Sequence, residues 1–196
     1  MTVRVTLLSP AMGAALREAR FDDGAPLDDA GVRQARAAAG GLPRISAALC
    51  APSPRCRGTA TALGLSPASV PELRDLEVGG WRGRGLAELS AAEPEAVAAW
   101  LADPGAAPHG GESLLDLVAR VGSWLDGRTD DDGRLLAVVE PAVVRAAVVH
   151  ALELPPRLFW RLDVPPLTLT ELTGRAGRWN LRCGRPPAPE PAPPVS

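Results

Sequence analysis

The sequence of 196 residues has no lysine, only three cysteines and only two histidines. Cys50, Cys56 and Cys183 are odd in number and lack metal-ligand spacing, which argues against a disulfide framework and against a zinc site. This cysteine content fits a reducing compartment, so we expect a cytoplasmic protein without a metal or another cofactor. All 21 basic residues are arginine, a compositional bias from which no function follows.

The chain also lacks a strong charge of either sign and a long apolar run. Its formal net charge is −2, which gives no electrostatic reason to expect nucleic acid or an anionic membrane as a partner. The apolar stretch near the N-terminus, Val5 to Leu8, is far shorter than a signal-peptide core or a membrane span. We therefore expect neither nucleic-acid nor membrane binding.

Short apolar runs alternate with helical patterns along the chain. Val3 to Leu8, Arg44 to Cys50 and Arg134 to Val139 have the composition of buried strands. Such alternation predicts an α/β fold, with a mostly parallel sheet between two layers of helices and ligands beyond the carboxyl ends of the strands.

Three helices are predicted from local signals. The first begins after Asp28, a potential N-cap, and ends at Gly40 and Gly41. The second covers about Glu112 to Asp126 and has a broad apolar face. The third begins at Pro141, directly after a predicted strand, and proline suits a first helical position.

The length and the composition predict one domain over residues 1–184, followed by a tail over residues 185–196. The tail contains PPAPEPAPP, which has too few backbone donors to join a sheet. We expect it to be disordered and extended, in the manner of polyproline.

Four segments between the predicted elements carry motifs. They are ARFDDGAPLDDAGVRQA, with Phe21 at its third position; APSPRCRGTATALG, which holds Arg55; LRDLEVGGWRGR, which holds Asp75 and Trp81; and PHGGES, which holds His109. In this order and spacing, the segments resemble the histidine phosphatase superfamily, the phosphoglycerate-mutase-like proteins, over roughly Val3 to Leu172.

The resemblance implies roles for several residues. Arg55 falls on the arginine that contacts phosphate, and Asp75 falls on the general acid, where Glu is more common. Trp81 and His109 lie in Gly- and Pro-rich loops that the resemblance places at the edge of the pocket. It also implies a homodimer as a possible assembly.

The two histidines that would do phosphoryl chemistry are missing from this alignment. Ser9, Pro10 and Ala11 stand where the family has Arg-His-Gly, and Glu140 and Pro141 replace the second histidine and its glycine. Proline has no nucleophilic side-chain atom and Ser9 has no guanidinium group to bind phosphate. A carboxylate about 4 Å from a phosphate charge costs about 1 kcal/mol in water and about 4 kcal/mol at an effective dielectric constant near 20, so we expect a phosphate monoester to bind poorly.

Each candidate also has a structural interpretation. Glu140 is either a catalytic group or a residue that caps the following helix or pairs with Arg55. Asp75 acts as an acid or caps its loop, and Arg55 binds a ligand carboxylate or pairs within the fold. Trp81 lines the pocket or closes the core, and for His109 the default is an exposed side chain.

Three functions remain open. The first is a binding or regulatory protein that has lost phosphatase activity, with Arg55, Ser9, His109 and Trp81 as ligand-binding candidates. The second is a repurposed enzyme in which Glu140 and Asp75 serve as acid and base on a small molecule that is not phosphorylated. The third is a scaffold with a vestigial pocket, in which the tail or a helix face binds a partner.

Overall fold

The computed structural model describes residues 2–129, 132–175 and 177–183. They form a six-stranded sheet flanked by helices, with strand order β3-β2-β4-β1-β5-β6. The strands are β1 (Val3–Leu8), β2 (Ala47–Cys50), β3 (Ala68–Ser69), β4 (Arg134–Val138), β5 (Leu169–Arg175) and β6 (Arg178–Arg182).

The α-helices are α1 (Ala14–Arg17), α2 (Asp29–Ala38), α3 (Pro54–Ala62), α4 (Leu86–Ala92), α5 (Pro94–Ala102), α6 (Leu114–Asp126) and α7 (Pro141–Ala151). Short 3-10 segments cover Ala39–Gly41, Pro71–Leu73, Gly79–Trp81 and Pro156–Arg161. Helix α2 packs against α3, and α6 packs against α7. The predicted α/β fold with helices on both faces of the sheet is confirmed.

The sheet is parallel over four strands and antiparallel over two. β1 pairs in parallel with β4, and β2 pairs in parallel with β4 and β3. β5 and β6 form an antiparallel extension beside β1. The mostly parallel sheet was predicted, whereas this hairpin was not, because its alternating sequence contains few apolar residues.

The apolar composition of the central strands explains their position. In β1 all residues except Arg4 are buried, and in β4 all except Arg134. Strands that are buried on both faces need such runs, since helices cover both sides of a parallel sheet.

The predicted helix boundaries agree with the local signals. The Asp28 carboxylate accepts a hydrogen bond from the Gly31 amide at 2.9 Å and caps α2. Ser113 and Asp116 form a reciprocal capping box at the start of α6. The strand predicted from Arg44 begins only at Ala47, because the first paired residue of the ladder is Ala47, opposite Leu135.

The remaining predictions on organisation concern features that the structure does not test. The tail predicted at 185–196 lies outside the described residues, so its disorder stays a prediction, as does the single domain over 1–184. No helix among the described residues combines the length and the apolar character that a membrane span needs.

Candidate functional site

A cavity of about 360 Å³ lies beyond the carboxyl ends of the parallel strands. Its wall combines aromatic rings with charged side chains, and ligand cavities of proteins typically range from about 300 to 1,000 Å³. The lining residues that carry the argument are Phe21, Asp22, Asp75, Trp100, Arg145 and Trp160.

Asp75 is the candidate that the structure places on the cavity wall. Its carboxylate accepts a hydrogen bond from the Leu76 amide at 2.8 Å, and no basic group of the described residues lies within ion-pair distance of it. Burial, and next the negative charge of Glu140, raise the pKa of Asp75 to about 8. A carboxyl of this kind is largely protonated at neutral pH and is able to donate a proton.

The loop that carries Asp75 is held by Arg120 of α6. The Arg120 guanidinium donates to the carbonyl oxygens of Glu72 at 2.6 Å and Arg74 at 3.1 Å. It also forms an ion pair with Glu112 at 2.6 Å, and both side chains are nearly buried. Arg120 thereby fixes the backbone from which Asp75 reaches the cavity.

Arg55 and Glu140 contact each other beside the cavity. The Arg55 guanidinium donates to both carboxylate oxygens of Glu140 in a two-pronged ion pair. The exposed fraction of the side chain is 11% for Arg55 and 1% for Glu140. Burial lowers the pKa of Arg55, but the charge and the hydrogen bond of Glu140 outweigh it, and the net shift is upward.

Two further side chains surround the Glu140 carboxylate. The Ser53 hydroxyl donates to Glu140 Oε1 at 2.9 Å and the Cys56 thiol approaches the same oxygen at 3.4 Å. Burial, and next the charge of Glu140, raise the pKa of Cys56 well above its usual range. Glu140 is the N-cap residue of α7, but its side chain makes no capping hydrogen bond, so the interpretation as a capping carboxylate is wrong and the pairing with Arg55 is confirmed.

Ser9 is fully buried and lies away from the cavity wall. Its hydroxyl lies 2.5 Å from the Pro165 carbonyl oxygen and accepts from the Thr168 amide at 3.0 Å. These contacts fix the loop that precedes β5. The predicted ligand role of Ser9 therefore has no support from its surroundings.

His109 and Trp81 also lie behind the cavity and do not line it. Trp81 is 2% exposed and donates to Glu93 at 3.0 Å, so it closes the core. The expectation of an exposed His109 is wrong, because the residue is 6% exposed. Its ring packs against the rings of Trp81 and Trp100, with centroids 5.2 Å and 6.3 Å away. Burial lowers the pKa of His109.

Several wall residues were missed by the sequence analysis. Asp22 directly follows Phe21 in one of the four motif segments. Arg145 lies one helical turn after Pro141 in α7, so the sequence spacing places the two residues on the same face of the helix. Phe159 and Trp160 come from a 3-10 segment that no periodic pattern marks. Burial, and next the charge of Glu140, raise the pKa of Asp22.

The charged lining groups nearly balance. Asp22, Asp75 and Glu77 face Arg74, Arg82 and Arg145 across the same cavity. Because Asp75 is largely protonated at neutral pH, the three arginines give the wall a small excess of positive charge, and none of these arginines was predicted. Among the described residues, no group of three or more His, Cys, Asp or Glu is arranged to hold a metal ion, and the absence of a cofactor stays a prediction.

The sequence matches the family model of the histidine phosphatase superfamily, branch 1, over residues 15–184. The chain belongs to this superfamily. The match begins after Ser9 and Pro10, the positions that the resemblance aligns with the Arg-His pair.

Curated relatives come from mycobacteria. A glucosyl-3-phosphoglycerate phosphatase of Mycolicibacterium vanbaalenii is 33% identical over 146 residues, which cover 66% of this chain and 64% of that protein. A protein of Mycobacterium tuberculosis named as bifunctional is 37% identical over 102 residues, 48% of this chain. The matched region spans only 28% of that longer relative.

Solved structures of the superfamily superpose over nearly the whole chain. "Mycobacterial hydrolase 1" has a TM-score of 0.81 at 26% identity and covers 93% of this chain and 98% of its own. A mycobacterial glucosyl-3-phosphoglycerate phosphatase in complex with VO3 has a TM-score of 0.79 at 27% identity, with 92% and 97% covered.

Proposed function

We propose that this superfamily member binds a small molecule in its cavity and does not transfer phosphoryl groups through a histidine. The observation that carries the proposal is the Arg55–Glu140 ion pair. The family resemblance matches Arg55 to the phosphate-contacting arginine and Glu140 to the second histidine. A buried carboxylate already occupies the guanidinium that a phosphate would need.

The positions of the two histidines support the same proposal. His109 packs in the aromatic cluster behind the cavity. His150 bonds Asp126 at 2.9 Å and packs on Gly122 of α6. Neither ring lines the cavity, so neither is placed to attack a phosphate bound there.

A second candidate is an enzyme that uses carboxyl groups for acid–base chemistry. The raised pKa of Asp75 favours it, because a general acid works best with a pKa near the operating pH. Glu140 is a poor partner for this role, since Arg55 and Ser53 hold its oxygens. Two relatives are glucosyl-3-phosphoglycerate phosphatases, which makes glucosyl-3-phosphoglycerate the first phosphorylated substrate to test.

The scaffold hypothesis places partner binding either on the tail, which lies outside the described residues, or on a helix face. It is tested by deleting residues 185–196 and measuring whether partners are still retained.

The decisive experiment measures phosphate release by the purified full chain from p-nitrophenyl phosphate and from glucosyl-3-phosphoglycerate. We expect no turnover above the level of the Arg55→Ala variant. Turnover that co-purifies with the protein and disappears in Arg55→Ala would overturn the proposal. Turnover that instead depends on Asp75, and is lost in Asp75→Asn while Arg55→Ala retains it, would favour the second candidate. Circular dichroism confirms that each variant is folded.

A further inference from the structure

Among the described residues, five ionisable side chains on the cavity wall have no ion-pair partner. Asp22, Asp75 and Glu77 contribute carboxyl groups, and Arg82 and Arg145 contribute guanidinium groups. Within the described part of the chain, none of these groups has an opposite charge within 4.0 Å. Because these acidic and basic groups share one wall and do not pair with each other, each kind can bind one end of a ligand.

Arg145 is the positive group that is best placed for a carboxylate. Its Nε donates to the Leu162 carbonyl oxygen at 2.7 Å, which fixes the plane of the guanidinium. Its Cζ lies 5.8 Å from the centre of the Phe159 ring. Burial lowers the pKa of Arg145, yet its terminal nitrogens have no acceptor among the described residues. A planar guanidinium with free N–H groups suits two-pronged recognition of a carboxylate.

Asp22 is the negative group that is best placed for a cation. One of its oxygens accepts from the Gly24 amide at 3.2 Å, and the other has no donor among the described residues. Glu77 is exposed, and Asp75 is largely protonated at neutral pH. Asp22 is therefore the carboxylate most able to pair with an ammonium group inside the cavity.

The rest of the wall is a connected set of aromatic rings. Trp100 and Trp160 have centroids 4.4 Å apart in an edge-to-face contact, and Phe21 lies 5.6 Å from Trp100. Rings packed in this way offer a rigid apolar surface and favour a cation near their faces. Trp100 is 4% exposed, and its indole N–H has no acceptor among the described residues, which is uncommon for a buried donor.

We propose, on the basis of the proposed binding function, that the cavity binds a small zwitterion with an apolar body, of the α-amino acid type. Its carboxylate pairs with Arg145, its ammonium group pairs with Asp22, and its apolar body packs on Phe21, Trp100 and Trp160. A phosphate monoester is disfavoured, because Glu140 already occupies the Arg55 guanidinium and the Asp22 carboxylate on the same wall repels a dianion.

The test is isothermal titration calorimetry on the full chain with three matched probes. They are L-phenylalanine, 3-phenylpropionate, which lacks the ammonium group, and 2-phenylethylamine, which lacks the carboxylate. We expect L-phenylalanine to bind about tenfold or more tightly than either analogue, since each lost charged hydrogen bond costs about that factor or more. L-Leucine and L-tryptophan test the size of the apolar body.

Two variants test which residue binds the carboxylate and which binds the ammonium group of the probes. Arg145→Gln should weaken L-phenylalanine and 3-phenylpropionate about tenfold or more and leave 2-phenylethylamine unchanged, whereas Asp22→Asn should weaken the two amines and leave 3-phenylpropionate unchanged. Glu88→Gln on α4, whose side chain is 59% exposed, is the control for a change of net charge. If Arg145→Gln does not fold, Arg145→Lys is the second variant. It retains the charge and should lose part of the affinity, because lysine lacks the planar guanidinium that makes two parallel hydrogen bonds to a carboxylate.

Equal binding of the three probes, or no binding of any of the three amino acids at millimolar concentration, overturns the inference. So does a folded Arg145→Gln variant with unchanged affinity for L-phenylalanine. None of these results bears on phosphoryl transfer, which the phosphate-release assay measures separately.

Discussion

Breaking the Arg55–Glu140 pair should destabilise the fold strongly. The Glu140 side chain is 1% exposed and that of Arg55 is 11% exposed, so the remaining charge is left with little water around it. Loss of one partner of a buried ion pair typically costs about 3–5 kcal/mol.

The two single variants should differ in how much free energy of unfolding they lose. Glu140→Gln leaves the guanidinium of Arg55, which reaches some solvent, so we expect a loss near 3 kcal/mol in the free energy of unfolding. Arg55→Met leaves the carboxylate of Glu140, which is almost inaccessible, so we expect a loss near 5 kcal/mol. For a chain of this length, these losses correspond to roughly 6–20 °C in the thermal midpoint.

The double variant Arg55→Met with Glu140→Leu should recover most of this stability. It removes both charges and fills the space with apolar atoms, an exchange that is often neutral or stabilising. A residual loss of about 1 kcal/mol is expected, because the half-buried Ser53 hydroxyl loses its acceptor.

Urea unfolding followed by circular dichroism measures these differences, with Glu88→Gln as the control. Glu88 forms an exposed pair with Arg84, so its loss should cost no more than about 0.5 kcal/mol. The reasoning is refuted if both single variants at the buried pair cost as little as the control, or if the double variant is less stable than either single variant.

Three further predictions concern the loop and the helix beside the cavity. Because the folded pKa of Asp75 is about 8 and the unfolded value is about 4, the folded state keeps a proton that the unfolded state has lost. The free energy of unfolding should therefore fall as pH rises from about 4 to about 8, and Asp75→Asn should flatten this dependence in urea titrations. Arg120→Met should cost about 1.5–3 kcal/mol, because Glu112 loses the charged hydrogen bonds of its nearer partner and keeps only the contact with Arg74 at 3.4 Å; an effect below about 1 kcal/mol would contradict the role of Arg120 in holding the loop. Ser113→Ala should cost about 1 kcal/mol through loss of the cap, whereas Ser123→Ala on the exposed face of the same helix should change little in thermal unfolding.

The sequence predicts the elements whose signals are local. Asp28, Ser113 and Pro141 mark helix starts, and the apolar runs of β1 and β4 mark the central strands. Each of these signals is contained within a few neighbouring residues. The physical cause is that caps and apolar runs act over one or two turns or one strand.

The cavity wall depends on contacts that are distant along the chain. Phe21 and Trp100 are nearly eighty residues apart in sequence, yet their rings are in contact. His109 looked like a loop residue because its neighbours are Gly and Pro, but the rings of Trp81 and Trp100 bury it. Such burial is set by how the loops pack, which a local pattern does not encode.

Under the proposed function, the Arg55–Glu140 pair affects both the stability of the fold and its choice of ligand. A phosphate at Arg55 would have to displace the Glu140 carboxylate, which is held in place by the fold and by the Ser53 hydroxyl. The displaced carboxylate would then be buried without a counter-ion, a state that costs several kcal/mol. A ligand that uses Arg145 and Asp22 meets no such competitor, because neither group has an ion-pair partner among the described residues. Under the proposed function, the pairing of Arg55 with Glu140 therefore leaves ligand recognition to the other ionisable groups of the same cavity.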